Sequence, residues 1–90
     1  MKISNEKREK ISEQILALLY SLNPQSIFTS YIAKEIARDE EFTKNLLLEL
    51  RNKKLVIEIK MNPKGVIYKR RSRWKLTNLS YQTYKKHQAI

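Results

Sequence analysis

The stretch that decides the fold is FTSYIAKEIARDEEFTKNLLLELRNKKLV, residues 28–56. Apolar residues recur in it three and four positions apart, which is the spacing of one helix face. We therefore predict a short helix that begins at Thr29 and a longer helix from about Glu40 to Lys54 that Asp39 caps. The positions predicted to face inward are Ile32, Ala33, Ile36 and Ala37 in the short helix and Phe42, Thr43, Leu46, Leu47 and Leu50 in the longer one.

Another amphipathic helix is predicted upstream, from about Asn5 to Leu22. Ser4 or Asn5 can cap its start, and Pro24 ends it because the residue before a proline is pushed out of the helical conformation. Its apolar stripe consists of Ile11, Ile15, Leu18, Leu19 and Leu22. Residues 26–28 then form a short extended segment that leads into the second helix.

Downstream of residue 54 the apolar period falls from 3.6 to 2, which predicts a β-hairpin. We expect one strand over 55–61, a turn over 62–65 and a second strand over about 66–77. The even positions of the second strand include Val66, Tyr68, Trp74 and Leu76, and its odd positions carry Lys69, Arg71, Arg73 and Lys75. Trp74 is assigned to the core, whereas core-edge packing and nucleic-acid contact are equally open for Tyr68. Residues 78–88 are predicted to form a short helix with Leu79, Tyr81 and Tyr84 inward.

Charge is divided unevenly along the chain, whose 19 Lys and Arg against 9 Asp and Glu give a net charge of +10. Residues 1–50 hold seven bases and eight acids, whereas residues 51–90 hold twelve bases and one acid, Glu58. A near-neutral half joined to a strongly basic half indicates a scaffold that presents cations to a polyanion. A thermophile surface rich in Lys and Glu would balance the signs in both halves, so the imbalance favours the polyanion.

Several classes of protein are disfavoured by composition. The chain has no cysteine, so it offers neither a disulfide framework nor a Cys-based zinc site. It has no apolar run near the roughly 18 residues of a membrane span, and its polar start is unlike a signal peptide. His87 is the only histidine, and there is no Gly-rich loop. We therefore expect a cytoplasmic, nucleoid-associated protein that is not an enzyme and needs no metal or other cofactor.

The order of helix, short strand, helix, turn, helix and hairpin over residues 10–79 resembles a winged helix-turn-helix domain. The matching segments are IAKEIA at 32–37, LLELRNKKLV at 47–56 and WKLT at 74–77. They look like MarR-, ArsR- and PadR-type regulators, especially the small archaeal and archaeal-virus versions. The resemblance implies an α+β fold with three core helices, a basic β-hairpin wing and a short C-terminal helix or tail. It implies one domain over 1–90, with the helix-turn-helix at about 29–54 and the wing at about 55–77.

In such a domain the third helix enters the major groove of DNA and the wing reaches the backbone or the minor groove. We therefore assign base readout to the outer arc of the third helix, where Lys44 suits guanine, Asn45 suits adenine and Leu48 suits a thymine methyl group. Contacts with the phosphate backbone are assigned to Thr29, Ser30, Arg51, Lys54, Lys64, Lys69, Arg71, Arg73 and Lys75.

The third helix starts with three carboxylates, Asp39, Glu40 and Glu41, where the family pattern tends to have Ser, Thr, Lys or Arg. Capping and the helix dipole account for acids at this position. Glu41 could instead accept a hydrogen bond from cytosine. In either interpretation the acids oppose the approach of DNA and leave room for another partner.

These observations predict a sequence-specific binder of double-stranded DNA, a transcriptional regulator that acts as a homodimer. Ile3, Ile11 and Tyr20 give the first helix more apolar surface than one small core needs, which favours pairing through this helix and the C-terminal tail. Tyr20 and Leu48 lie off the main stripes of their helices and are candidates for a dimer contact or a ligand edge. Two alternatives stay open: a non-specific chromatin-type DNA-binding protein, and a winged-helix module that binds a protein or RNA.

Overall fold

The computed structural model describes residues 4–88, and within that range it contains four helices and one three-stranded sheet. The elements are α1 (Asn5–Leu22), β1 (Ile27–Phe28), α2 (Thr29–Glu35), α3 (Glu40–Asn52), β2 (Val56–Ile59), β3 (Arg73–Leu76) and α4 (Asn78–Gln88). The strand order is β1-β3-β2, and both pairs of neighbouring strands are antiparallel. The predicted α+β arrangement of three core helices, a hairpin and a C-terminal helix is confirmed.

The caps at the helix starts agree with the sequence in two of three cases. Ser4 accepts a hydrogen bond from the backbone N–H of Lys7 at the start of α1, and Asp39 accepts one from the N–H of Phe42 at the start of α3. The prediction that Thr29 caps α2 is wrong, because Thr29 is the first helical residue and its side chain is used elsewhere.

α3 ends at Asn52, two residues before the predicted end. Lys54 has a φ of +64°, and the N–H of Leu55 donates to the carbonyl of Leu50 at 2.9 Å. This is the left-handed closure that commonly ends helices. Ala37 closes α2 in the same way, with a φ of +56°, so it is exposed and does not continue the apolar face predicted for that helix.

The core lies where α1, α2 and α3 cover one face of the sheet. Trp74 of β3 is fully buried, so its assignment to the core is confirmed. The side chains packed with it in the core are Ile11, Ile15, Leu19, Ile32, Leu46, Leu47, Leu50, Val56 and Leu76. These positions include most of the inward faces predicted for α1 and α3, whereas Leu18, Leu22 and Phe42 are only half-buried.

The second strand of the hairpin differs from the prediction, because β3 begins only at Arg73 and not near Val66. Ile59 pairs with Arg73, and the next pair along the hairpin is Met61 with Ile67. Between these two pairs one strand contributes Lys60 alone and the other contributes residues 68–72. Five residues opposite one form a large, irregular bulge in the hairpin. We call residues 68–72 the basic bulge and residues 61–67 the wing tip.

The predicted C-terminal helix is present as α4, and it packs on α1 through aromatic rings. The ring of Tyr20 lies 5.3 Å from that of Tyr81 and 4.6 Å from that of Tyr84. Tyr20 is therefore covered within the chain. Leu79 was predicted to point inward, but it is 75% exposed, because only one face of α4 meets α1.

The apolar surface that predicted pairing through α1 is thus largely covered by the chain itself. Ile11 belongs to the core and Tyr20 packs against α4. The third residue of that prediction, Ile3, lies outside the described residues.

Candidate nucleic-acid interface

The outer arc of α3 is a mainly polar surface that faces solvent. Lys44 and Asn45 are both exposed, as expected for residues that read bases. Leu48, the third residue assigned to base readout, is half-buried and packs against the core. The structure therefore brings Lys44 and Asn45 together on an accessible surface. Only part of the Leu48 side chain is exposed beside them.

A cleft separates the starts of α2 and α3 from the basic bulge. Its walls are formed by Phe28, Thr29, Ser30, Glu40, Lys44, Arg70, Arg71 and Ser72. Three cationic side chains and the Ser30 hydroxyl group thus converge beside the exposed arc of α3. Such a combination of charge and hydrogen-bond donors suits a phosphate group.

Aromatic rings fix the position of Arg71 in the bulge. Its guanidinium carbon lies 4.7 Å from the centre of the Phe28 ring and 5.4 Å from that of Tyr68. The two rings meet edge to face at 5.4 Å. Stacking on aromatic faces leaves the edge of a guanidinium group accessible to hydrogen-bond acceptors. Of the two interpretations of Tyr68, packing at the edge of the fold is therefore observed.

Ser72 attaches the end of the bulge to α2. Its carbonyl oxygen accepts a hydrogen bond from the backbone N–H of Thr29 at 3.2 Å and one from the Thr29 hydroxyl at 3.4 Å. The same hydroxyl accepts a hydrogen bond from the indole N–H of Trp74 at 2.8 Å. Thr29 was assigned to the DNA backbone, but its side chain is buried and both of its hydrogen-bonding functions are used inside the protein.

Ser72 is also linked to α3 through Glu58 of β2. Its hydroxyl donates to Glu58 Oε2 at 2.7 Å, and Arg51 Nη1 donates to Glu58 Oε1 at 2.6 Å. The Glu58 side chain is only 6% exposed. Burial raises the pKa of this carboxyl group, but the hydrogen bonds from Ser72 and Arg51 and the charges of Lys60 and Arg51 outweigh burial and hold the pKa below its ordinary value.

Two of the arginines assigned to DNA are thus bonded within the protein. Arg51 pairs with Glu58, which directs its guanidinium group toward the wing. Arg73 is half-buried, and its guanidinium group donates to the Ser26 hydroxyl at 2.7 Å and to the Met61 carbonyl at 3.0 Å. Arg73 therefore links the residue before β1 to the wing tip, so its guanidinium group has a structural role.

The remaining predicted cations are spread over the surface. Lys69 is exposed in the bulge, Lys64 at the wing tip and Lys54 at the end of α3. Lys75 is half-buried beside Asn23 and Tyr81, where α1 and α4 meet the sheet. The four odd-numbered bases of the predicted strand thus do not form one row, because the bulge breaks the alternation between Arg71 and Arg73.

Arg70 is the residue of the cleft that sequence reasoning missed. As an even position in a regular strand it would face the core, so it was not assigned to DNA. The basic bulge exposes it beside Arg71 instead. The signal in the sequence was the run Lys69-Arg70-Arg71, since three successive cations cannot alternate between solvent and a core.

Within residues 4–88 there is no group of three or more His, Asp or Glu side chains that could hold a metal ion. Over the same residues, no helix has the length and apolar character needed to cross a membrane.

Glu58→Gln should lower the free energy of unfolding at pH 7 by about 1–2 kcal/mol, because the pair with the half-exposed Arg51 is lost. The pKa of Glu58 is lower in the folded protein than its ordinary value of 4.5, so the ionised carboxylate stabilises the folded state at pH values above 4.5. This contribution to the free energy of unfolding is lost as the pH falls through the pKa of the folded protein. The difference from wild type should therefore narrow below pH 4.5. Urea unfolding at pH 7 and pH 3 tests this, with the exposed Glu13→Gln as control. An equal difference at both pH values would contradict the charge-based account.

Among known proteins, similarity to this chain is found in solved structures. No protein-family model matches the sequence, and no curated protein matches it. The structure of a MepR–DNA complex from S. aureus superposes with a TM-score of 0.74 at 22% identity, covering 93% of this chain and 66% of that chain. A MepR mutant from a multidrug-resistant S. aureus clinical isolate gives 0.72 at 23% identity, covering 90% of this chain and 56% of that chain.

A ZitR mutant from Lactococcus lactis in its apo form gives a TM-score of 0.70 at 21% identity, covering 93% of this chain and 58% of that chain. The chain thus spans between 56% and 66% of the length of these three structures. All three come from bacteria, so they lend no support to the archaeal part of the predicted resemblance. The fold of the chain is the winged-helix fold of MarR-type regulators.

Proposed function

We propose that this protein is a sequence-specific double-stranded DNA-binding regulator whose α3 lies in the major groove and whose wing lies on the backbone or the minor groove. The observation that carries the proposal is the cleft, where Arg70 and Arg71 of the wing and Ser30 of α2 can bind a phosphate group beside Lys44 of α3, which stays available for a base. A phosphate group held there would set the depth and register of α3 in the groove. Residues 1–90 would act as one winged-helix unit.

The strongest contribution to affinity in this proposal comes from cations outside α3. Lys69, Arg70 and Arg71 are exposed and consecutive, and the aromatic platform of Phe28 and Tyr68 holds the last of them in place. Neutralising phosphates releases condensed counterions, so affinity should fall steeply with salt. Lys54 and Lys64 add exposed charge at the end of α3 and at the wing tip.

Base readout in this proposal belongs to Lys44 and Asn45, two exposed polar residues on the outer arc of α3. Lysine can donate to the guanine acceptors O6 and N7, and asparagine can pair with adenine through two hydrogen bonds. Leu48 is half-buried, and the exposed part of its side chain can contact a thymine methyl group.

The acidic start of α3 is compatible with this arrangement. Asp39 is used as the cap, and Glu40 lines the cleft that also holds Arg70 and Arg71. The Glu40 carboxylate would repel a phosphate group from the start of α3, so that the cations of the basic bulge bind the phosphate. Glu41 is exposed on the outer arc of α3, where it can accept a hydrogen bond from cytosine.

The structural neighbours support this choice of function, because MepR is a transcription regulator of a multidrug efflux pump and one neighbour structure is its complex with DNA. The proposal includes a binding role without catalysis and a cytoplasmic, nucleoid-associated location. The chromatin-type alternative shares the cations and differs in having no base reader. A winged-helix module for a protein or RNA would instead use the acids at the start of α3.

Replacing both Arg70 and Arg71 by Gln should weaken binding to all duplexes alike and reduce the slope of log affinity against log salt by about 2, because two phosphate contacts are lost. Fluorescence anisotropy of a labelled duplex at several salt concentrations measures the slope. The matched control is Lys7→Gln with Lys10→Gln on α1, which removes the same charge outside the cleft. An equal slope change in both double variants would show that net charge, and not the cleft, sets the affinity.

Asn45→Ala should relax the preference at a single base pair and cost about 1–3 kcal/mol on the preferred duplex, with little effect on random DNA. Competition between the source's own upstream DNA and random duplex, followed by selection from a random library, identifies that position. The exposed neighbour Asn52→Ala serves as the control at the end of α3. Equal losses on specific and random DNA would favour the chromatin-type alternative.

The proposed homodimer would place two copies of α3 on half-sites one helical turn apart. Because α1 is covered, the exposed Leu79 on α4 is the apolar residue best placed for pairing. Sedimentation equilibrium at micromolar concentration should give a dimer, and Leu79→Asp should shift it toward monomer. A monomeric wild-type protein under these conditions would contradict the dimer.

A further inference from the structure

The wing tip exposes a cluster of large apolar side chains. Met61 is 46% exposed, Val66 is 61% exposed and Ile67 is 67% exposed. Exposed apolar residues scattered singly are ordinary, but these three lie within one turn of the chain. A contiguous exposed apolar patch on a small domain indicates a contact surface.

Ile67 joins these side chains at the end of the hairpin, because it pairs with Met61 and lines one hollow together with Val66. Met61 and Ile67 form an antiparallel pair, so their side chains lie next to each other on the same face. Asn62 fixes the turn between them, because its Oδ1 accepts hydrogen bonds from the N–H groups of Lys64 and Val66, each at 2.9 Å. The turn of the wing tip is therefore preformed, which lowers the entropic cost of binding a partner.

Cations surround this apolar cluster. Lys60, Lys64, Lys69 and Arg70 are all exposed next to it. A single continuous hollow runs from Asn62 and Val66 along Ile67 to Arg70 and Arg71, so the tip is continuous with the cleft. The charge complements a polyanion, and like charges would repel a second copy of the same tip. The occupant that fits both charge and position is the duplex already assigned to the cleft.

We propose that the wing tip enters the minor groove and wedges Val66 and Ile67, with Met61 behind them, between neighbouring base pairs, so that the protein bends its DNA. This inference rests on the proposed function, since it needs a bound duplex. Apolar wedges that enter from the minor groove unstack a base step and kink the duplex toward the major groove. Lys60, Lys64, Lys69 and Arg70 would hold the phosphates on the two sides of the opened step.

The wedge also assigns a sequence preference to the wing. Pyrimidine–purine steps unstack most easily, so the preferred site should contain a TA or CA/TG step at the position of the tip. Selectivity at that step would arise from deformability of the DNA and would need no hydrogen bond to a base edge.

The test uses a double variant that carries both Val66→Ser and Ile67→Ser. This variant is compared with the wild type and with two control variants. The exchange Val66→Ile with Ile67→Val keeps the tip apolar, and Ile57→Ser makes an exposed apolar residue polar at the base of the hairpin. Each protein is titrated into a duplex that carries a fluorophore pair at its ends and 2-aminopurine at a TA step. End-to-end energy transfer reports bending, and 2-aminopurine fluorescence reports unstacking.

The wild type and both controls should bend and unstack the duplex. The double serine variant should lose both signals and bind about tenfold more weakly, with an unchanged salt slope because the cations remain. Wild-type binding with a steep salt slope but without bending or unstacking would overturn the wedge and leave the proposed function standing. Absence of wild-type binding to duplex even at low salt would overturn the proposed function and the wedge together.

A membrane surface is the other partner that combines apolar and cationic contacts. Vesicles of phosphatidylcholine with 30% phosphatidylserine therefore complete the test, as a sedimentation assay. Loss of vesicle binding in the double serine variant, with duplex bending equal to wild type, would overturn the wedge in favour of the membrane. Weak vesicle binding that is equal in all variants would support the wedge.

Discussion

The hydrogen bonds of Ser72 are the interaction on which the candidate interface depends. Its carbonyl oxygen accepts from Thr29 at the start of α2, and its hydroxyl donates to Glu58, which pairs with Arg51 of α3. One residue of the wing is thus joined to both helices of the helix-turn-helix. Together with the stacking of Arg71 on the rings of Phe28 and Tyr68, these bonds set the position of the basic bulge relative to α3 and hence the width of the cleft between them.

The physical reason for this arrangement is that buried polar groups must be paired. The indole N–H of Trp74 is buried in the core and needs an acceptor, which Thr29 supplies. The Glu58 carboxyl group is buried on the same side and needs donors, which Ser72 and Arg51 supply. Satisfying these two groups ends the regular ladder at Arg73 and turns residues 68–72 outward. The exposure of three successive cations is a consequence of that pairing.

The sequence predicts the helices well and the wing poorly. Periodicity and capping place α1 and α3 correctly, because Ile15, Leu46 and similar residues repeat at the helix period and Asp39 is a strong cap. The cleft could not be foreseen, since the basic bulge depends on contacts between Ser72 and residues 43 and 14 positions away. The alternation of apolar and basic residues in the sequence is the same whether or not the strand contains a bulge, so the pattern does not reveal the bulge. The bulge is also the reason why Arg70 is exposed, contrary to its even position, and why Arg73 lies in a regular strand apart from Arg71.

The hairpin has two parts that are anchored in different ways. The basic bulge is held by the helical body through Ser72, whereas the turn of the wing tip is held by Asn62 through bonds to its own backbone. Changes of length or composition between residues 62 and 66 lie inside the Met61–Ile67 pair and the bond from Arg73 to the Met61 carbonyl, so they would leave the cations of the bulge where they are. The turn can therefore be exchanged while the base of the wing keeps its structure. Grafting a different turn onto positions 62–66 offers a way to alter how the wing deforms or selects its partner without rebuilding the rest of the domain.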